Sequence, residues 1–242
     1  MLSGRIYAVT GGSGALGAAV VRALAERGAE VRVFDRAAPA PAFLPSGADA
    51  ARVTSEVVDL TDERAVTAVY ARCARLDGSI HCAGGFDMKP LTQTTLSEFE
   101  AMWRMNTVSC FLACREAVRA IARNRSGGGS NHDGTLGVRG WIVNVAARPA
   151  VSPVAGMCAY ATSKAAVANL TQSLAAELIG DGILVNAVLP SIMNTPANRA
   201  AMPNADHGKW PRVEDVAAVI RALASPANAL TSGALVPVYG AA

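Results

Sequence analysis

The chain has 242 residues, of which 51% are hydrophobic and 17% charged. That composition suits one α/β domain with a sizeable core and excludes a disordered chain, whose few apolar side chains could not offset the entropy of ordering. Lys and Arg number 22 against 19 Asp and Glu, with no basic run, so no nucleic-acid partner is expected. No window reaches the roughly 18 unbroken apolar residues of a membrane span, and residues 1–5 carry no secretory signal. No membrane partner and a cytoplasmic location are therefore expected.

Strand and helix signals alternate from the start. Residues 6–10 form a short apolar strand, 15–27 a helix, 31–35 a second strand and 37–46 a Pro/Ala linker. A strand at 53–58 precedes a helix at 61–75 with Thr61 as its N-cap. A brief strand at 79–82 follows, then a helical stretch carrying Trp103 and Asn106, which Ser97 and Glu100 open as a capping box. Residues 141–145 form a strand, 160–179 a long helix and 183–189 another strand. Val167, Leu170, Leu174 and Leu178 recur at three- and four-residue spacing, so one stripe of the long helix faces a core. A last helix at 213–223 precedes a strand at 235–239.

This alternation predicts a single α/β domain over 1–242, doubly wound, with a parallel sheet covered on both faces and right-handed crossovers. Two segments interrupt the rhythm. Residues 124–140 are polar and Gly-rich and read as an inert surface loop. Residues 190–211 carry Met193, Met202 and Trp210 directly after a strand, where open α/β sheets bind ligands, and read as a substrate-covering lid.

Chemistry enters at Thr10-Gly11-Gly12-Ser13-Gly14-Ala15-Leu16-Gly17, between the first strand and the first helix. Glycines there let the backbone turn sharply and approach a pyrophosphate, and the helix N-terminus offers N–H donors and a positive dipole. Asp35 ends the second strand, where a carboxylate bonds ribose hydroxyls and repels a 2′-phosphate, whereas Arg36 beside it would receive one. NAD(H) is favoured and NADP(H) stays open. Asp59 and Leu60 end the third strand as candidates for the adenine edge, and Ala83-Gly84-Gly85 lets the backbone pass close to the cofactor. In Tyr160-Ala161-Thr162-Ser163-Lys164 the phenol and the ammonium sit at i and i+4, on one helix face. A phenol is mostly protonated near neutral pH; the neighbouring ammonium and an oxidised nicotinamide ring are expected to pull its pKa down towards acid/base range.

Cys73, Cys82, Cys110, Cys114 and Cys158 form no CxxC pair, and with three scattered histidines they show no metal-ligand spacing. They read as buried reduced thiols, and no metal is expected.

Together the Gly-rich turn, Asn106 and the Tyr160/Lys164 pair resemble the short-chain dehydrogenase/reductase family over essentially the whole chain. The resemblance implies a Rossmann-type domain with a seven-stranded parallel sheet, and hydride transfer between a nicotinamide and a small carbonyl or alcohol. It implies Tyr160 as proton donor or acceptor, Lys164 on the nicotinamide ribose, and Asn106 holding a water in the proton relay. Pro190, Ile192 and Thr195 match the segment that brackets the carboxamide. A homodimer or homotetramer is implied as well, through helices including the one that carries Cys110 and Cys114.

The chain departs from the family at three places. Ala15 stands where glycine is usual, His81-Cys82-Ala83-Gly84 replaces Asn-Asn-Ala-Gly, and Ala147 occupies the position of the catalytic serine. A methyl group cannot donate to a developing oxyanion, a contribution worth several kcal/mol. Ser152 is a candidate substitute, and Arg199, Met202 and Trp210, with Ala147, are candidate substrate contacts. The small residue at 147 and the stretch 189–206 also resemble the dihydropteridine-reductase branch, which makes a quinonoid dihydropterin the alternative substrate. A non-catalytic NAD(H)-binding sensor is the rival from another class, and a sugar-nucleotide epimerase would want a larger C-terminal domain than this chain has room for.

Overall fold

A computed structural model describes residues 1–40, 45–124 and 137–241; most of the Gly-rich stretch 124–140 lies outside the described residues. Seven strands, β1 (Ile6–Thr10), β2 (Glu30–Asp35), β3 (Val53–Val57), β4 (Gly78–His81), β5 (Gly140–Val145), β6 (Ile183–Pro190) and β7 (Leu235–Val238), pair in the order β3-β2-β1-β4-β5-β6-β7. Every pairing is parallel. β4, β5 and β6 are buried along their whole length, as strands covered on both faces must be; β5 and β6 read as mostly apolar runs, whereas β4 buries the polar Ser79 and His81.

Two cores flank the sheet. On one face α1 (Ala15–Ala25) and α7 (Val213–Leu223) bring Leu16, Val20, Leu24, Val216 and Ile220 onto Val9, Val33, Ile80 and Val143. On the other, α2 (Glu63–Ala71), α4 (Ser109–Ala122) and α5 (Cys158–Leu178) bring Val66, Val69, Ala113, Ala117, Val167 and Leu178 onto Ala8, Phe34, Ile142 and Val185. Leu170 and Leu174 of the predicted stripe pack against this second core, partly buried. The strand order reverses between β1 and β4, which opens a crevice above their carboxyl ends; doubly wound sheets bind ligands at such a switch point.

Two helix starts differ from expectation. α2 begins at Glu63, capped by Asp62, whose carboxylate accepts from the N–H groups of Arg64 and Ala65 at 2.8 and 3.1 Å. Thr61 instead donates its N–H and hydroxyl to Asp59, each at 2.8 Å. A carboxylate is the stronger partner for a positive helix end. The capping box opens α3 (Leu96–Trp103) with Thr95 and Glu98, two residues ahead of the Ser97/Glu100 pair. Lys89 sets the register by reaching Glu98 at 2.6 Å, and Lys89 and Thr95 together hold the Glu98 carboxyl down to about 2.

Between α3 and α4 the helix widens into one π turn, Arg104–Val108, which carries Asn106. The 190–211 segment folds into α6 (Pro196–Ala201), capped by Thr95's counterpart here, Thr195, and a short turn of 310 helix at His207–Lys209. Among the described residues no helix is long and apolar enough to cross a membrane.

The observed capping register predicts that Thr95→Ala lowers unfolding free energy by about 1 kcal/mol, while Ser97→Ala changes it by under about 0.5 kcal/mol. Urea denaturation of the two variants checks this, and equal effects would return the box to Ser97.

Candidate active site

The Gly-rich turn is built by close approach. Gly11 has φ +71°, and a Cβ on Gly17 would lie 2.1 Å from the Gly11 carbonyl oxygen, so no side chain fits at either position. Gly14 caps α1 without any side-chain hydrogen bond, leaving the first-turn N–H groups of Ala15 and Leu16 for an anionic ligand. Asp35, buried at the end of β2, accepts from the Ser13 N–H at 2.9 Å, from the Ser13 hydroxyl and from the Arg36 N–H at 2.7 Å. Arg36 itself is exposed. The Val58 N–H donates to the Asp35 carbonyl at 2.8 Å, so β3 delivers exposed Asp59 and buried Leu60 to the same rim. The two Thr61 donors hold the Asp59 carboxyl below its usual range. Gly11 also abuts Ala83, which joins the turn to the loop after β4. These groups fit a dinucleotide: unspent N–H donors, a glycine-lined approach and a carboxylate at the ribose position.

Tyr160, Lys164 and Asn106 converge on that same loop. The Phe86 ring meets the Tyr160 ring edge-on with centroids 5.0 Å apart. A Cβ on Gly84 would lie 3.2 Å from Lys164 Nζ and 2.5 Å from Asn106 Oδ1, so only glycine admits both side chains beneath it. Lys164 Nζ donates to the Val145 carbonyl at 2.8 Å. Asn106 Oδ1 accepts from the Gly85 N–H at 2.8 Å, while Nδ2 donates to the Gly85 carbonyl at 3.1 Å and to Ser163 Oγ at 2.9 Å.

The Asn106 side chain clamps Gly85, toward which the π turn directs it. In the free chain burial outweighs the expected lowering of the phenol: it pushes Tyr160 up to about 12 and the buried Lys164 amine down to about 8, since burial penalises each charged form.

On the substrate side Ala147 is buried at the start of the turn Arg148–Ala150, and Ser152 is exposed just beyond it. Pro190 is buried at the end of β6, Ile192 is exposed, and the buried Thr195 hydroxyl caps α6 by accepting from the Asn198 N–H at 3.2 Å. Met202 is half-buried, its carbonyl bonded to His207 Nε2 at 2.8 Å. Trp210 is buried against His207, ring centroids 4.6 Å apart. Arg199 is tied to Asn194 Oδ1 and lines a cleft of about 340 Å³ with Ala15, Pro196 and Arg212, beside the Gly-rich turn and not beside Tyr160.

A family model described as short chain dehydrogenase matches residues 5–206. The chain belongs to the short-chain dehydrogenase/reductase family. Among curated proteins it is similar to cis-4-hydroxycyclohexanecarboxylate dehydrogenase of Sinomonas cyclohexanicum, 34% identical over 250 residues, covering 98% of this chain and 95% of the relative. It is also similar to 3-hydroxyacyl-CoA dehydrogenase type-2 of Drosophila melanogaster, 32% identical over 220 residues, covering 84% and 80%. Among solved structures a short-chain type dehydrogenase/reductase from Mycobacterium ulcerans superposes with TM-score 0.85 at 27% identity, over 99% of this chain and 90% of that one. As a short-chain dehydrogenase/reductase the protein is an NAD(P)-dependent oxidoreductase.

Sequence reasoning missed two residues of this dehydrogenase site. Ser163 bridges Asn106 to the Tyr160 carbonyl, donating to it at 2.8 Å; its place one turn after Tyr160 was the available signal. Phe86 follows Ala83-Gly84-Gly85 directly, yet nothing local marks it as the ring that meets Tyr160.

Buried Lys164 carries a stability consequence. Below pH 8 the folded and unfolded chains both hold this proton, so the full cost of burying the ammonium is present. Between about 8 and 10.5 the folded chain gives up the proton first, and stability rises by linkage. Lys164→Met is therefore expected to raise unfolding free energy by about 1–2 kcal/mol at pH 7, a gain that fades as pH approaches 10.5. Denaturant titrations across that range check it.

Proposed function

We propose that the protein interconverts a small secondary alcohol and its ketone, using NAD(H), with the Tyr160 hydroxyl as the acid/base. The observation that carries this reading is the meeting of Tyr160, Lys164 and Asn106 around the 84–86 loop, directly across from the Gly-rich turn. When bound, the nicotinamide gives or takes the hydride. The chain's own residues do the placing. First-turn N–H groups of α1 hold the pyrophosphate, Asp35 takes the ribose hydroxyls, Lys164 takes the nicotinamide ribose, and Pro190, Ile192 and Thr195 bracket the carboxamide. Residues 190–211 cover the substrate and exclude water.

In the reducing direction Tyr160 donates its proton to the substrate oxygen as hydride arrives; in the oxidising direction it accepts that proton. Asn106 keeps the 84–86 loop and α5 in register through Gly85 and Ser163. Two relatives bear names of enzymes that oxidise hydroxy compounds, which supports an alcohol/ketone couple. Ala147 contributes no hydrogen bond to the substrate oxygen, so Tyr160 carries more of the stabilisation, and a substrate already prone to accept hydride is favoured. That same alanine supports quinonoid dihydropterin as the second substrate to assay. The exposed Trp103 and Phe111 on α3 and α4 support pairing into a homodimer or homotetramer through this face.

Tyr160→Phe is expected to lower turnover by about 10²–10⁴ while leaving NADH affinity within about twofold, because the cofactor contacts lie elsewhere. Stopped-flow NADH oxidation and fluorescence titration separate the two, and undiminished turnover would remove Tyr160 from the mechanism. Asp35→Ala is expected to shift the NAD/NADP preference toward NADP by about tenfold, the factor carried by some 1.4 kcal/mol. Steady-state kinetics with both cofactors read this ratio, and no change would mean that Asp35 does not contact the ribose.

A further inference from the structure

Behind the reacting loop lies a cluster that the redox mechanism does not use. Cys110 and Cys114 stand one turn apart on one face of α4, both buried. Buried His81, at the end of β4, faces them, and its pairing partner in the sheet is Asn144 of β5. The ligand atoms of His81, Cys110 and Cys114 all lie within 4.8 Å of one another. Cys114 Sγ is 3.3 Å from His81 Nδ1 and 3.4 Å from Asn144 Oδ1, and Nδ1 is 2.8 Å from that same oxygen.

We propose that His81 Nδ1, Cys110 Sγ, Cys114 Sγ and Asn144 Oδ1 form a closed, tetrahedral Zn²⁺ site. Zinc bonds of about 2.0–2.3 Å give a tetrahedron with edges of roughly 3.3–3.8 Å, and the two Cys114 distances already match such edges. Small side-chain rotations bring Cys110 in and open the short His81–Asn144 edge. Two thiolates neutralise the cation, so the filled site is neutral overall and suits a fully buried position between α4 and the sheet. Sulfur and imidazole donors select zinc over hard cations, and the amide oxygen suits Zn²⁺ better than Cu⁺.

The surroundings also orient the imidazole. His81 Nε2 lies 2.8 Å from Ser79 Oγ, which lies 3.0 Å from the Tyr70 hydroxyl; such a partner fixes a ligating ring and leaves the other nitrogen for the metal. Asn144 is anchored likewise, its Nδ2 donating to Thr171 Oγ1 at 2.9 Å. Four protein ligands leave no open position, so the zinc is structural. It ties β4, β5 and α4 together immediately before Cys82-Ala83-Gly84 and before Val145, whose carbonyl holds Lys164.

The test is the metal content of the full chain produced in zinc-supplemented medium and dialysed against a chelator, with Co²⁺ supplied in a parallel preparation. One Zn²⁺ per chain is expected, together with a tetrahedral, thiolate-ligated Co²⁺ spectrum. Cys110→Ala and Cys114→Ala should lower metal content by about tenfold or more, whereas Cys158→Ser, which changes an exposed thiol, should leave it unchanged. Should the alanine variants fail to fold, His81→Asn removes the imidazole while keeping a polar partner for Asn144, and its circular dichroism and metal content are read together. Absence of zinc from the unaltered protein, zinc retained in folded variants lacking these ligands, or binding of Cu⁺ but not Zn²⁺ would each overturn the assignment. None of these readouts depends on turnover.

Discussion

The site rests on a missing side chain. Because position 84 is glycine, the backbone after β4 passes low enough for Lys164 and Asn106 to reach it from two different helices, where a Cβ would come within 2.5 Å of the Asn106 oxygen. That contact sets the height of the 84–86 segment, hence the Phe86 edge against Tyr160 and the distance from this loop to the Gly-rich turn. The sheet serves the same end. Its reversal of strand order between β1 and β4 leaves the two glycine loops facing each other across a crevice that neither could form alone.

Much of this was legible in the sequence, for reasons that are local. Strands buried on both faces are continuous apolar runs, so β1, β5 and β6 could be read to within a residue or so. The Tyr160/Lys164 spacing is fixed by helical periodicity, and the Gly-rich turn by its place between a strand and a helix. What stayed hidden depends on partners distant in the chain. Thr95 and Ser97 both begin a Ser/Thr-x-x-Glu pattern, and only the reach of Lys89 to Glu98 selects the first. The π turn has no local signature, so the inward aim of Asn106 toward Gly85 could not be read from Met105-Asn106-Thr107. Likewise His81 lies far in sequence from Cys110 and Cys114, and only the parallel pairing of β4 with β5 beside α4 assembles the three.

The Ala147 substitution changes how the remaining groups share their work. Families of hydride-transfer enzymes place several donors at the substrate oxygen because charge develops there, and each preorganised donor stabilises the transition state. On the proposed reading, with a methyl group at 147, that duty falls on the Tyr160 phenol. Burial raises the cost of charge on Tyr160 while strengthening any hydrogen bond the phenol makes, since a low-dielectric setting acts on both.

On the proposed reading the protonation state of Tyr160 sets what each direction of the reaction needs. A phenol held near 12 is protonated throughout the physiological range, which is the form that donates to a nascent alkoxide when a ketone is reduced. Alcohol oxidation needs the phenolate, which burial opposes, so it draws on whatever positive charge is near. Lys164 donates to the Val145 carbonyl and its pKa sits near 8, so its ammonium is still mostly charged at neutral pH. On the proposed reading that charge would come from Lys164 together with the positive ring of an oxidised nicotinamide, and the oxidising direction gains from rising pH while reduction does not.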